Sequence, residues 1–431
     1  MLLSSVMRIG MVSAIIAIAL SPRIPLAVVI PGRRFDLRFE DLILIPLLLF
    51  WLLYLSLRPR IYLTPLSKVI GIYMFIVIFS TGIAMMTLDL SPIRTFFYVL
   101  KEVEYFIIYF FVANWSRSES DIRLASGVIL LAGILNAVWV GWQLITSQFH
   151  PLFIIRRTLP SAVYENPSLF SSYGPNLLGE ASPLSTGGFF LLITLLTLSL
   201  MLFSKANDKK RLYLLLSIVF SIGLAVSFSR AAILGAVIGV GALSTQIKLK
   251  VKARMVPLTF IMLAAAALIM GRLGFFDAGG RLSFEGISHS FLVRMRDIWQ
   301  PLLSHGFEQI FLGYGKGALG FAEGLHATEA HNYYLRVFVE SGLFGLIAFV
   351  WLLVMIIFLC VKVLKESKVA ISKVIACATL SATVGLGVAA MLQDVFTPVI
   401  LNEYWWVLVG LTAAAYRIEF GRFHPTVEVV Q

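Results

Sequence analysis

The chain has 431 residues, of which 59% are hydrophobic and only 13% are charged, and its mean hydropathy is +0.90. Soluble globular domains carry about 25% charged residues, so this composition excludes an ordinary soluble enzyme, a disordered chain and a disulfide-rich secreted scaffold. The formal net charge of +12 points either to an anionic partner or to a membrane topology signal, and the placement of the basic residues decides between them.

Apolar stretches of about 20 residues, the length that crosses a bilayer as a helix, recur along the whole chain. They predict an all-α polytopic membrane protein with about twelve transmembrane helices in a single integral membrane domain, residues 1–431. The first stretch follows a basic residue but has no small-residue cleavage site, so we expect it to remain as a helix. The predicted spans are 11–30, 41–57, 66–88, 95–113, 124–146, 184–203, 212–228, 231–245, 255–271, 342–361, 371–391 and 396–415.

The lysine clusters predict how these spans are oriented. If the N-terminus is cytoplasmic, every lysine cluster lies in an inner connection, and the positive-inside rule then places both termini in the cytoplasm. The clusters are at 205–210, 248–252 and 362–373. Because the anionic inner leaflet attracts such clusters, the net charge requires no nucleic-acid partner.

This topology places two long segments, 147–183 and 272–341, on the outer, periplasmic face. The second segment, between the ninth and tenth spans, is too long to be a structureless connection in a compact protein, so we expect it to be partly helical. It contains four of the six histidines, His289, His305, His326 and His331. We therefore expect the active site in this loop.

Three arginines are candidates for binding an anion. Arg230 lies between two apolar segments, where an unpaired guanidinium is costly. It either reaches the lipid headgroups or binds a phosphate together with the N–H groups of the helix that begins at Ala231. Arg294 and Arg296 lie on different faces of an amphipathic helix start, and either one binds an anionic head group or both are solvated. The glycine-rich segment 313–317 fits neither a Walker A loop nor a dinucleotide fingerprint.

His331 opens a helix-like run that continues into the apolar span at Gly342. A histidine at a helix start is often structural, but imidazole is well suited to removing a proton from a sugar hydroxyl near neutral pH without a metal. His326 and His331 are five residues apart, which is not the four-residue spacing of zinc ligands on a helix, so we expect no metal site. Arg336 and Glu340 are four residues apart and are expected to pair on one helix face.

These segments together resemble the O-antigen ligase family, within the ligase and polymerase superfamily of bacterial membrane glycosyltransferases. The family carries a His-Asn-x9-Gly-x-x-Gly signature on its periplasmic side. His331, Asn332, Gly342 and Gly345 reproduce every fixed position of this signature.

Two further elements of the family have matches. Its Arg-x3-Leu element at an outer helix junction is matched by Arg230 and Leu234. It also has a loop arginine upstream of a tryptophan, for which Trp299 with Arg294 or Arg296 is the nearest match. The usual spacing of about four residues falls between these two arginines, so the choice between them stays open, with Arg294 preferred.

The resemblance implies a metal-independent, inverting transfer without a cofactor. A glycan would pass from undecaprenyl pyrophosphate to a lipid A-core or similar acceptor hydroxyl, at the periplasmic face of the bacterial inner membrane. His331 would be catalytic, and Arg230, Arg294, Arg296 and Asn332 would bind the pyrophosphate or the glycan.

Two other functions remain open at this point. A polymerase that joins lipid-linked repeat units is the nearer alternative, although the Arg-x10-Gly elements typical of well-studied polymerases are not found at the loop arginines. A secondary transporter is the more distant one. Transporters place ionisable residues or broken helices near the membrane midplane, whereas the polar residues here concentrate outside the predicted spans.

Overall fold

The computed structural model of the protein describes residues 2–20, 23–30, 33–57, 63–88, 90–149, 183–227, 229–246, 284–320, 325 and 329–421. These residues are helical apart from one short hairpin and the connections. The hairpin strands are β1 (Arg23–Ile30) and β2 (Arg33–Arg38). The helices are α1 (Leu2–Leu20), α2 (Phe39–Leu57), α3 (Ser67–Thr87), α4 (Pro92–Trp115), α5 (Glu119–Phe149), α6 (Pro183–Phe203), α7 (Asn207–Val226), α8 (Arg230–Thr245), α9 (Phe284–Val293), a π-helix (Arg294–Trp299), α10 (Gln300–Glu308), α11 (Tyr333–Glu366), α12 (Ala370–Ala389) and α13 (Val399–Phe420).

The positions of the helices can be compared with the predicted spans wherever the structure describes the chain. Every predicted span overlaps a helix except the ninth, 255–271, which lies outside the described residues. Within the described ranges, five helices are long and apolar enough to cross a membrane: Ser67–Thr87, Glu119–Trp142, Leu184–Phe203, Tyr333–Glu366 and Ala370–Ala389. Two apolar helices, Arg8–Ala19 and Arg230–Thr245, are shorter. The protein is therefore a multi-pass helical membrane protein.

The first predicted span, 11–30, is wrong in its second half. The helix α1 ends at Leu20, and β1 then pairs with β2 in an antiparallel hairpin. Pro25 lacks the N–H that a helix interior requires, and the β-branched residues at 28–30 favour an extended backbone. The prediction of an all-α fold is corrected to this extent.

The centre of the bundle is formed by α12 and α13, whose side chains are buried along almost their whole length. Small residues let α8 approach α12 closely. A Cβ atom placed on Gly385 would lie 2.2 Å from the carbonyl oxygen of Gly235, and one on Gly239 would lie 2.9 Å from that of Ser381. Such small-residue contacts are how membrane helices pack tightly. The start of α8 is thereby fixed relative to the end of α12.

A kink divides α11 at Gly342, whose backbone (φ 67°, ψ −170°) is not helical. The segment that follows α10, residues 309–320, packs against α11 at this kink and is called the docked loop below. The N–H of Leu343 donates to the carbonyl of Ile310 at 2.7 Å, and the N–H of Gly315 donates to the carbonyl of Glu340 at 2.8 Å. These bonds replace the helical bonds that the kink removes.

We expect Gly342→Ala to lower the stability of the protein. A Cβ atom at this position would lie 2.1 Å from the carbonyl oxygen of Phe311, and the backbone conformation is one that only glycine adopts readily. Strain and overlap together predict a loss of about 2–5 kcal/mol, measured by thermal unfolding in lipid nanodiscs. The control is Gly82→Ala in α3, where a Cβ atom meets nothing within 4 Å. Equal unfolding temperatures for the two variants would contradict the role of Gly342.

Candidate functional site

The site lies where the N-terminal ends of α8 and α11 meet two other segments. One is the helical arm, residues 284–308, which comprises α9, the π-helix and α10. The other is the connection between α12 and α13, residues 390–398, called the connecting loop below. Within the segment 272–341, residues 284–308 are thus helical. The segment 150–182 and His326 lie outside the described residues.

His331 is held by contacts to its Nδ1 atom. This atom lies 3.2 Å from Oε1 of Gln393 and 3.6 Å from Oε2 of Glu329. An amide oxygen accepts hydrogen bonds, so this contact fits the imidazole tautomer that carries its proton on Nδ1 and leaves Nε2 as an acceptor. The backbone of His331 has φ 50°, a conformation that is uncommon outside glycine and clusters at functional sites.

Asn332 begins α11 as its N-cap. Its Oδ1 accepts a hydrogen bond from the N–H of Leu335 at 3.1 Å, and asparagine is among the residues that favour this position. The His-Asn pair of the signature therefore has two different local tasks. The side chain of His331 contacts the connecting loop just before α11, and Asn332 caps the N-terminus of that helix.

Arg294 is the first residue of the π-helix, and the wider turn of this helix decides which residues share one side of the arm. The N–H of Gln300 bonds to the carbonyl of Met295, five residues earlier. In such a turn, residues five apart are stacked as residues four apart are in an α-helix. Arg294 and Trp299, which are five residues apart, therefore lie on the same side of the arm.

The two loop arginines, Arg294 and Arg296, differ in their contacts. The Nη1 atom of Arg294 donates to the carbonyl of Leu392 at 2.9 Å, and the indole Nε1 of Trp299 donates to the carbonyl of Ala330 at 2.9 Å. The side chain of Arg296 is 88% exposed and lies 4.0 Å from Asp297. Of the two arginines, only Arg294 contacts the connecting loop among the described residues.

Arg230 is the first residue of α8, and Oγ of Ser229 accepts a hydrogen bond from the N–H of Ala232 at 3.3 Å as the N-cap. The positive charge of Arg230 acts on the guanidinium of Arg294. Burial lowers the pKa of Arg294, the positive charge of Arg230 lowers it further, and the carboxylates of Glu329 and Asp394 oppose both. The structure thus brings together two arginines from distant parts of the chain.

Asp394 is a residue of the site whose contacts the sequence did not reveal. Its Oδ2 accepts from the N–H of Ala330 at 3.0 Å and lies 3.6 Å from Nη1 of Arg336. Burial raises the pKa of the Asp394 carboxyl, and the charge of Arg336 opposes the shift. The predicted pair between Arg336 and Glu340 is confirmed, with 3.3 Å between Nη2 and Oε1. An acidic residue just beyond a span was the available signal for Asp394.

A buried ion network lies beneath the site, in the docked loop. Nζ of Lys316 is 3.3 Å from Oε2 of Glu102 on α4 and 3.3 Å from Oε2 of Glu340 on α11. The hydroxyl of Tyr73 on α3 donates to Glu102 at 3.1 Å. The interpretation that segment 313–317 is not a phosphate loop agrees with this geometry, because its lysine is committed to two carboxylates. Positive φ angles at Gly313, Gly315 and Gly317 let the loop turn tightly enough to enter the bundle.

Residues 215–350 match the protein-family model described as O-Antigen ligase. This segment belongs to the O-antigen ligase family. No curated protein matches the chain. The O-antigen ligase segment contains all five predicted site residues, whereas Glu102, Gln393 and Asp394 lie outside it. The matched segment therefore supports an activity of the O-antigen ligase or polymerase type. Outside this segment, Gln393 contacts His331 and Asp394 contacts Ala330.

We expect Lys316→Met to destabilise the protein, because it removes the cation that lies between Glu102 and Glu340. Removing one partner of a buried ion pair costs about 3–5 kcal/mol, which would appear as a lower unfolding temperature in nanodiscs. The control is Lys365→Met at the C-terminal end of α11, where the lysine is exposed and the expected change is small. The double variant Lys316→Met/Glu102→Gln should recover part of the loss. No difference between the two single variants would contradict the network.

Proposed function

We propose that the protein is an O-antigen ligase-like glycosyltransferase of the bacterial inner membrane, with both termini in the cytoplasm and its active site in the periplasm. It transfers a glycan from undecaprenyl pyrophosphate to a hydroxyl of lipid A-core or a similar acceptor, without a metal and with inversion. The observation that carries the proposal is the grouping of Arg230, Arg294 and His331 within one site of an O-antigen ligase segment.

The two arginines are suited to hold the pyrophosphate of the donor. Two guanidinium groups close enough to repel each other gain most from an anion placed between them, and each matches phosphate oxygens in bidentate geometry. The positive end of the α8 helix dipole adds to the same field. As the glycosyl bond breaks, negative charge grows on the leaving pyrophosphate, and preorganised cations stabilise that charge.

His331 is suited to activate the acceptor. With Nδ1 donating to Gln393, its Nε2 can accept the proton of a sugar hydroxyl as that oxygen attacks the anomeric carbon. Attack from the side opposite the pyrophosphate inverts the anomeric configuration. Because pyrophosphate is a good leaving group, the departing side needs no general acid.

The acceptor distinguishes the ligase from its nearest alternative. A polymerase would use the same donor site but transfer the glycan to a second lipid-linked repeat unit. We favour the ligase because the complete His-Asn-x9-Gly-x-x-Gly signature is typical of ligases. A secondary transporter would bind no undecaprenyl pyrophosphate and would move its solute across the bilayer.

The test is glycan transfer by the full-length protein in nanodiscs, with a defined lipid-linked donor and either lipid A-core or a second donor molecule as acceptor. Transfer to lipid A-core supports the ligase, and transfer only to lipid-linked repeats supports the polymerase. His331→Ala should lower kcat by about 10²–10⁴-fold without weakening donor binding. Near-normal transfer by His331→Ala at an unchanged unfolding temperature would show that the histidine is not the base.

The two loop arginines provide a second prediction. Arg294→Ala should lower kcat/KM by about 10²–10³-fold, the usual effect of removing one donor that stabilises a developing charge. Arg296→Ala is the matched control two residues away, and an exposed charge of this kind is worth about 0–1 kcal/mol, or less than about sixfold. Transfer rates and direct binding of the lipid-linked donor measure both. A larger loss from Arg296→Ala would reverse the assignment.

A further inference from the structure

The helical arm exposes large apolar side chains on one side of α10. Phe307 is 63% exposed, Phe311 just beyond the helix is 56% exposed, and Leu303, one turn before Phe307, is also exposed. Three large apolar residues in one short stretch would be costly if they faced water. This group, Leu303, Phe307 and Phe311, is called the aromatic strip below.

The opposite side of α10 already has its partner inside the protein. Leu302 and Gly306 are buried, and a Cβ atom on Gly306 would lie 2.6 Å from the ring of Phe338 on α11. The ring of Phe307 also packs against Phe338, edge to face, with 5.8 Å between the centroids. The arm therefore has a fixed rotation, and the aromatic strip points outward because the other side is packed against α11.

The strip continues into the outward face of a candidate membrane span. Phe311 stacks on Phe344 of α11 with 5.6 Å between the centroids. Phe344, Ile347 and Trp351 follow at spacings of three and four residues, so they share one face of α11, and all three are exposed. An exposed apolar face on a membrane span is a face that contacts lipid.

We propose that α10 lies in the membrane–water interface, with the aromatic strip inserted among the acyl chains of the bilayer lipids as a continuation of the lipid-facing surface of α11. Helices with one apolar, aromatic face commonly lie in the plane of the interface with that face buried in the acyl-chain boundary. The π-helix that begins with Arg294 continues directly into α10, so this contact fixes the height of Arg294 above the bilayer. The proposal does not depend on the glycan-transfer chemistry.

The test places an environment-sensitive fluorophore on Phe307→Cys in the full-length protein, reconstituted as single copies in nanodiscs that contain no polyprenyl lipid. The label should show blue-shifted emission, quenching by lipids spin-labelled near the top of the acyl chain, and little quenching by iodide. The matched control is Asp297→Cys in the π-helix of the same arm, whose carboxylate is exposed. Its label should be quenched by iodide and not by the lipid probe. The native cysteines Cys360 and Cys377 are buried, and labelled wild-type protein sets the background.

Leu303→Cys is a second reporter, and it should behave like Phe307→Cys. Equal quenching of the Phe307→Cys and Asp297→Cys labels by iodide would overturn the proposal. Lipid quenching that appears only after a polyprenyl lipid is added would assign the strip to a polyprenyl chain instead. A blue shift that appears only when two copies share a nanodisc would assign it to a second copy of the chain. Circular dichroism of each variant establishes that the fold is retained.

Discussion

Three consecutive residues, 392–394, connect the parts of the candidate site. The backbone carbonyl of the first accepts from Arg294, the side-chain oxygen of the second faces His331, and the carboxylate of the third accepts from the N–H of Ala330. These contacts come from one short loop, so an arginine of the arm and a histidine at the start of α11 are held at a fixed spacing. A shift of the connecting loop would displace both groups together. The relative positions of Arg294 and His331 thus depend on a loop outside the matched segment.

The connecting loop is in turn held by buried ion pairs, the first of which joins Asp394 to Arg336. Arg336 lies between Asp394 and Glu340, and Glu340 also pairs with Lys316 of the docked loop. Buried charges are tolerated when they are paired, and the loss of one partner leaves a costly unpaired ion. The pairs therefore link the connecting loop, α11 and the docked loop into one unit. Gly342 makes this unit possible, because its kink opens the carbonyls to which the docked loop binds.

The sequence predicted what periodicity and a specific signature encode. Helices were found at the predicted spans that the structure describes, the i, i+4 pair of Arg336 and Glu340 formed, and the outer segment was partly helical. The features that the sequence did not predict depend on local backbone conformation or on contacts between distant segments. Hydropathy cannot distinguish an apolar strand from a helix, which is why the hairpin was missed. The contact of Arg294 with Leu392 and those of Asp394 with Ala330 and Arg336 join segments far apart in the chain, and a single sequence carries no record of such contacts.

The signature can now be interpreted as geometry as well as chemistry. Asn332 starts α11 and Gly342 kinks it ten residues later, so the fixed spacing sets the length of the first helical segment. That segment must reach from the site, where His331 lies, to the docked loop and no further. If the substrates are lipid-linked, as proposed, their reacting groups lie close to the headgroups, and the site must be held at that height. An arm that carries Arg294 in its π-helix and contacts the bilayer through Leu303 and Phe307 of α10 would meet this requirement, because the two helical elements follow one another directly. Their combined length then sets the distance from the acyl chains to the bound pyrophosphate.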